Sequence, residues 1–438
     1  MSEIIQQTDR TRLFEALCSQ TRMLVGFKAV KKNRGSPGID GVTIEEFGSR
    51  LNEELGQLLK ELVTWTYEPK PVRRVDIPKP DGKGSRKLGI PCVRDRVVQA
   101  ALKGLLEPIL EPEFSERSYG FRPNRGQWNA VRAAKRMVQE EGKGYVVDID
   151  LEKFFDHVHH NRLIHRLSQY VPDKRILRLI GMILRAGIME NGLVAPSREG
   201  TPQGSPLSPL LSNLVLDEMD KELERRGLDF CRFADDCNIF TRSQKAAERV
   251  MGSITQFIEG KMKLKVNREK SRIDVAEKIR FLGLTIVKGT IAISQKSINR
   301  AMDKVKELTP RGTHQGIERA IERINQWYRG WSQYYAMTQY PSQLIKIEAH
   351  IRRRLRSRLV SQQKNRRGLF RLLVQRGLSS GEAFRTAYSN RKRWALSHAR
   401  AVEAAYPNRW FVKTMGLYIR SDEARSYWVG PKVWIRLT

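Results

Sequence analysis

The chain has 438 residues, with 80 lysines and arginines against 48 aspartates and glutamates, a formal charge of +32 at neutral pH. That length admits several domains with buried cores, and no fold needs such an excess of cations, whereas a polyanionic partner explains it. No apolar run approaches the roughly 20 residues of a membrane span, no secretory signal stands at Met1, and four scattered cysteines lack zinc-finger spacing; a membrane-spanning or zinc-stapled protein is excluded, and a reducing cytoplasm fits.

Taken in order, Leu13, Leu17, Leu24 and Phe27 have roughly helical spacing and predict a basic helical lead-in to about Val30. Asn33 to Gly41 (NRGSPGIDG) is a Gly/Pro-rich loop among basic residues, Arg34 included; a plain turn and a contact to RNA explain it equally well. Thr43 to Trp65 predicts a helix capped by Thr43 or Asp40, with Glu45 and Glu46 in its first turn. Residues 71 to 91 alternate apolar and basic around Pro80-Asp81-Gly82, which predicts a hairpin whose cationic face carries Arg74, Lys79 and Arg86. Such a face either protects a sheet edge or binds phosphate, for which the arginine fork is suited. Val93 to Glu107 reads as a helix. Ser118 to Arg125 then interleaves Tyr119 and Phe121 with Arg122 and Arg125; this composition can stack bases and hold phosphates, although packing is the better explanation of the two rings.

Gly144 to Asp156 is an apolar strand that ends in carboxylates, and period-two alternation puts Asp148 and Asp150 on one strand face. His157, His159, His160 and His165 follow without zinc-ligand spacing and read as a solvated helix start. Gly200 to Pro206 is a Gly/Pro loop entering a helix with an apolar face of Leu210, Leu211, Leu214, Val215 and Met219; free N–H groups there favour anions and the close approach of a nucleotide. Phe230 to Phe240 predicts a strand-turn-strand with Asp235 and Asp236 at its tip, and Cys231 and Cys237 as small strand hydrophobes beside it. Two adjacent like charges are costly unless neutralised, and a hard divalent cation is the usual answer. Asp150 from one strand end and Asp235-Asp236 from the hairpin tip could hold two Mg2+ ions about 4 Å apart, which activate an attacking hydroxyl and stabilise a leaving pyrophosphate.

Ala246 to Lys261 predicts a further helix, Leu264 to Asn267 a strand leading to Lys270, and Phe281 to Ile291 a hairpin turning at Lys288-Gly289. Beyond Ser294 the pattern is helical. Ile324, Trp327, Tyr328, Trp331, Tyr334 and Tyr335 share a helical face that reads best as a core stripe. Arg352, Arg353, Arg354, Arg356 and Arg358, followed by Lys364, Arg366, Arg367 and Arg371, form a run without an acid; a solvated face would mix signs, so a phosphate-binding surface is predicted. Residues 391–438 stay basic and aromatic and predict a small appended domain.

In this order, RKLGIP (86–91), DRVVQ (95–99), SYGFRP (118–123), the Asp150 strand, TPQGSPLSP (201–209), the Asp235-Asp236 hairpin and FLG (281–283) resemble the motifs of reverse transcriptase/maturases encoded by bacterial group II introns. The resemblance spans residues 30 to 340. It implies an α+β right-hand polymerase: an N-terminal extension and start of the fingers (1–90), a fingers/palm core with an antiparallel sheet (91–293), a helical thumb or X domain (294–390) and a basic C-terminal segment (391–438). It implies RNA-directed DNA synthesis from an RNA template and a DNA or RNA primer, with deoxynucleotide triphosphates and two Mg2+ ions (Mn2+ able to substitute) on Asp150, Asp235 and Asp236. The family pattern puts the catalytic aspartate five residues before an aromatic, which favours Asp150 over Asp148 and makes Phe155 the ring that excludes a ribose 2′-hydroxyl. By the same resemblance Arg86 clamps the triphosphate with Lys79 and Arg74 nearby, Gln203 touches the template–nucleotide pair, and Lys270 neighbours the pyrophosphate. Arg34, Arg122, Arg125, Arg352, Arg353, Arg354, Arg356, Arg358, Arg366 and Arg367 are the implied RNA contacts, and group II intron RNA the implied partner for splicing and retrohoming. The implied setting is the bacterial cytoplasm, on the nucleoid when DNA is the target. Phe233 replaces the family's usual Tyr, a change that neither metal binding nor proton transfer needs to notice, and no His/Asn/Cys arrangement resembles the family's endonuclease domain. A free-standing enzyme for DNA repair or phage defence is the alternative; Phe155 argues against an RNA-directed RNA polymerase, and the intact aspartates against a maturase with a dead polymerase site.

Overall fold

The computed structural model describes residues 9–78, 84–190, 193–195, 199–201, 204–310 and 315–421. They divide into two compact units, residues 1–275 and 276–438.

The first unit opens with helices Leu13–Leu17 and Gln20–Asn33, the latter capped by Ser19, whose hydroxyl accepts the Arg22 N–H. The segment predicted as one helix from Thr43 is two, Ile44–Ser49 and Leu51–Val63, parted where Arg50 leaves helical dihedrals. Thr43 and Glu46 form a reciprocal capping box at its start. Helix Val93–Leu110 is the spine of the unit, burying Val97, Leu102 and Leu106 in the main core.

Strands β1 (Val72–Pro78) and β2 (Ser85–Ile90) pair antiparallel, as the alternation predicts, with Arg73 opposite Ile90. Strand β3 (Tyr145–Ile149) precedes β4 (Ile188–Glu190) and β5 (Leu193–Ala195), and the first sheet runs β2-β1-β4-β5. Strands β6 (Asp229–Phe233), β7 (Asp236–Thr241) and β8 (Arg272–Val275) join β3 in an antiparallel sheet of order β6-β7-β3-β8. Val147, Ile149, Phe230 and Ile239 turn into the core from this sheet. Cys231 and Cys237 are buried strand residues, and burial pushes the Cys231 thiol up to about 12. The strand predicted at Leu264 to Asn267 is only a single bridge, Leu151 to Val266; the ladder on that edge of β3 is made by β8 instead.

The second unit begins with the hairpin of β9 (Leu284–Val287) and β10 (Thr290–Ile293), turning on Lys288 (φ 48°) and Gly289 (φ 73°). Positive φ at both central residues is the primed turn that matches strand twist. Helices Gln295–Leu308, Ile317–Tyr334 and Pro341–Gln362 follow. On the second, Ile324 and Tyr328 are buried, and Trp331 stacks on Tyr328 and meets Trp327 and Tyr335 at a tilt along one face. Rather than forming an appended domain, residues 391–421 complete this core: Val402, Tyr406, Phe411 and Leu417 belong to it. Glu348, itself buried, accepts the Tyr328 hydroxyl and the Arg420 and Ser421 N–H groups, which fastens the last described turn to the helices. No helix among the described residues is long and apolar enough to cross a membrane.

Candidate active site

The antiparallel register assembles the carboxylates. Ile149 pairs with Cys237 at the end of β3, so Asp150 follows the last pair on one strand and Asp236 precedes it on the other. Phe233 pairs with Asp236, leaving Ala234-Asp235 as a two-residue turn with Ala234 at φ 56°. Burial raises the Asp235 carboxyl above its ordinary value and the charge of Asp150 adds to the rise, while Arg86 opposes it. Asp150 and Asp235 are thus two carboxylates within electrostatic reach. Lys270 reaches Asp150 at 3.4 Å, and the Asp150 N–H donates to the Ser271 hydroxyl at 3.0 Å.

Asp148, the rival ligand, is held otherwise. Its register neighbours are Asn238 and Arg272; Asn238 donates to it at 3.3 Å and Arg272 lies 3.9 Å away. It lies within the strand, one residue before its last, whereas Asp150 follows the strand's end.

A cavity of about 690 Å³ opens over the turn, and Arg86, Phe155, Gly204, Ser205 and Asp235 line it. Strand β2 brings Arg86; the short turn Phe154–Asp156 brings Phe155, whose ring meets buried Phe154 at 5.2 Å. Gly200 and Thr201 are tied to that turn: the Thr201 N–H donates to the Phe155 carbonyl at 2.7 Å and the Gly200 N–H to that of Val158 at 2.8 Å. Ser205 donates to Gln99 of the spine helix at 2.6 Å. Lys79 and Gln203 lie outside the described residues. A second cavity of about 320 Å³ is also lined by Phe155, with Arg74, Lys87 and Lys153 in its wall; Arg74 and Lys87 there pair with Glu190.

Lys103 of the spine helix, which the sequence reading passed over, also lines the larger cavity. It does so beside Arg96 of the same helix, Asn33 at the end of helix Gln20–Asn33, and Gly35 of the loop that follows. Arg96 donates to the Ser36 carbonyl at 2.9 Å, so this loop is a wall of the cavity. Phe121 is a correction: instead of packing inward it is 52% exposed, at φ 58°, and lines the cavity. His160 is another: it is buried, its Nε2 2.7 Å from the Gly200 carbonyl, and burial lowers its pKa, whereas His157 and His159 stay outside near Glu199.

Among the arginines predicted to meet RNA, the structure separates three classes. Arg122, Arg356 and Arg358 are corrections, because their guanidinium groups are buried and internally engaged. Arg122 holds Glu111 and the Ser115 and Ser118 carbonyls; Arg356 donates to the Tyr406 carbonyl at 2.9 Å and Asn408 at 2.8 Å; Arg358 donates to the Gln315 and Gly316 carbonyls. Arg125 is clasped by Glu116, Arg354 donates to Thr309, and Arg353 lies 4.0 Å over the Trp394 ring. Arg352 is half-buried on the same helix. Arg34, Lys364, Arg366, Arg367 and Arg371 are exposed.

Among the described residues no three His, Cys, Asp or Glu side chains close on a common point. Mg2+ does not require that. It is commonly held by one or two carboxylates together with substrate phosphates, and Asp150 at the end of β3 with Asp235 in the adjoining turn fit such a shared cation.

Residues 77–286 match the family "Reverse transcriptase (RNA-dependent DNA polymerase)", and residues 298–376 match the "Group II intron, maturase-specific domain". Protein YkfC of Escherichia coli is 35% identical over 295 residues, covering 59% of this chain and 77% of that protein. The group II intron-encoded protein LtrA of Lactococcus lactis is 35% identical over 222 residues, 51% of this chain and 37% of its own length. A putative COX1/OXI3 intron 2 protein of Saccharomyces cerevisiae is 32% identical over 58% of this chain and 28% of its own. The chain therefore spans about a third of the length of the intron-encoded relatives it matches.

Proposed function

Since the chain belongs to the reverse transcriptase family that carries a group II intron maturase-specific domain, we propose that it synthesises DNA on an RNA template and also binds group II intron RNA as a maturase. One observation supports the polymerase reading: an arginine, an aromatic and a carboxylate, Arg86, Phe155 and Asp235, line one cavity over the hairpin turn.

In this reading the triphosphate lies along Arg86, whose fork matches phosphate oxygens. The Phe155 ring occupies the volume of a 2′-hydroxyl and selects deoxynucleotides. The residues entering the Ser208–Arg225 helix offer backbone N–H groups to the nucleotide. Asp150 and Asp235 would hold Mg2+ jointly with the triphosphate, Asp236 assisting; bound there, two such ions polarise the phosphoryl oxygens, favour attack by the primer 3′-hydroxyl and neutralise the leaving pyrophosphate. Lys270, beside Asp150, adds positive charge on the same side. For the maturase role, the exposed cations Lys364, Arg366, Arg367 and Arg371 provide a phosphate-binding face. The work belongs to the cytoplasm, on the nucleoid when DNA is the target.

Asp235→Ala and Asp236→Ala test the reading: each should abolish primer extension on an RNA template and leave RNA affinity unchanged, because the binding charges lie elsewhere. Extension within a few-fold of the parent would refute the assignment.

A further inference from the structure

Strand β6 carries a full charge in its interior. Arg232 stands between Cys231 and Phe233, and both its side chain and that of its partner Asp220 are 0% exposed. Arg232 donates from Nε to Asp220 at 2.7 Å and from a terminal nitrogen at 2.6 Å, a two-pronged pair between the strand and the Ser208–Arg225 helix. A buried pair of this kind gains little over an apolar pair of the same shape. Its use here lies in what the remaining guanidinium nitrogen does.

That nitrogen donates to the Ala234 carbonyl at 2.9 Å, inside the turn that presents Asp235, and to Asn213 Oδ1 at 3.0 Å. Asn213 in turn donates to the Gly120 carbonyl at 2.9 Å. Gly120 lies against the turn so closely that a Cβ there would come within 3.0 Å of the Phe233 carbonyl carbon and nearer still to the Ala234 nitrogen. Backbone bonds finish the frame: the Tyr119 N–H donates to the Arg232 carbonyl at 2.9 Å and the Arg232 N–H to the Arg117 carbonyl at 3.0 Å. Arg122, two residues past Gly120, ties this segment to Glu111 and the Ser118 carbonyl.

We propose that Asp220, Arg232, Asn213 and Gly120 form a bracket that fixes the Ala234-Asp235 turn, so that the cation-holding geometry of Asp235 and Asp236 depends on four residues that touch no substrate. Ala234 explains the need. A residue with a side chain at φ 56° is uncommon, and such a turn persists only where its surroundings over-determine it. None of the four lines the cavity, so each is a positioning residue. The inference rests on the polymerase reading above.

The test uses the full chain with Asn213→Ala and Gly120→Ala. Asp220→Asn, which strands a buried guanidinium and risks misfolding, serves as the severe case. Mn2+ binding is followed by the electron paramagnetic resonance of free Mn2+, beside the Mg2+ dependence of primer extension and the affinity for RNA. In Asn213→Ala and Gly120→Ala the Mn2+ dissociation constant should rise about tenfold, as for other groups that orient metal ligands. Extension should fail at low Mg2+ and recover at high Mg2+, with RNA affinity unchanged. Coincident Mn2+ and Mg2+ titrations in parent and both variants, with only the melting temperature lowered, would overturn the inference. A parent that extends no primer, with Mn2+ binding indifferent to Asp235→Asn, would bring down the polymerase reading and the bracket with it.

Discussion

Phe155→Val is the perturbation that reaches furthest into the mechanism. Phe155 lines both cavities. Its backbone is held at 2.7 Å by the Thr201 N–H, and the neighbouring Phe154 is anchored in the core. The site therefore has little freedom to close up after truncation, and the ring's volume becomes available to a ribose 2′-hydroxyl. Steric overlap of a well-packed group costs kilocalories rather than tenths. The ratio of specificity constants, deoxynucleotide over ribonucleotide, should fall at least about tenfold, or about 1.4 kcal/mol. Single-nucleotide incorporation on one RNA template with matched primers measures it. A parent that used ribonucleotides as readily would favour the RNA polymerase reading. A selective parent whose ratio did not move on substitution would return the register of the β3 carboxylates to Asp148.

The other predictions concern stability and RNA. Asp95 is buried beneath Tyr67, and burial pushes its carboxyl up from 3.8 to about 6. Between those values the folded chain binds a proton that the unfolded chain does not. The cost of the buried carboxylate is therefore absent below pH 3.8, grows through pH 6, and is full above it, about 3 kcal/mol at most. Asp95→Asn should accordingly gain in melting temperature on the parent from pH 4 to pH 7, and a difference independent of pH would contradict this. Arg122→Gln should cost about 3–5 kcal/mol in denaturant unfolding by stranding the Glu111 carboxylate and the Glu111, Ser115 and Ser118 carbonyls, an effect that replacing a surface RNA ligand would not produce. Replacing Lys364, Arg366 and Arg367 with Gln should flatten the salt dependence of RNA binding by about one unit of slope for each phosphate no longer neutralised; an unchanged slope would show a merely solvated face.

What was legible in the sequence was local. The β6–β7 hairpin, the β3 strand and the β9–β10 turn follow from alternation and turn residues a few positions apart. The Thr43–Glu46 box reads directly from spacing. Burial of charge was harder, because a run of arginines counts cations without showing which way they face. Helical period does place Arg358 inward: it stands seven residues after Ile351 and three after Leu355, and all three are buried on one helix. Arg354, on the same helix, donates to Thr309 instead, a partner that no spacing within the run announces. Phe121 was not legible for a different reason: its backbone φ of 58° turns the ring outward, and no periodicity encodes that. His160 and the Asp220–Arg232 pair find their partners dozens of residues away or across elements, at the Gly200 carbonyl and on the Ser208–Arg225 helix, so only the assembled fold reveals them. A lone arginine inside an apolar strand was the one available signal for the second.

The central claim, that this site copies RNA into DNA, is tested most directly by extending a labelled primer on a defined heteropolymeric RNA template with the purified chain and Mg2+. With four deoxynucleotides the product should reach the template end, and withholding one deoxynucleotide should stop it at the first position that needs it. With four ribonucleotides extension should be weak, and Asp235→Asn should give no product under either condition. Full extension by the Asp235→Asn protein, or a parent that extends equally well with ribonucleotides, would contradict the account.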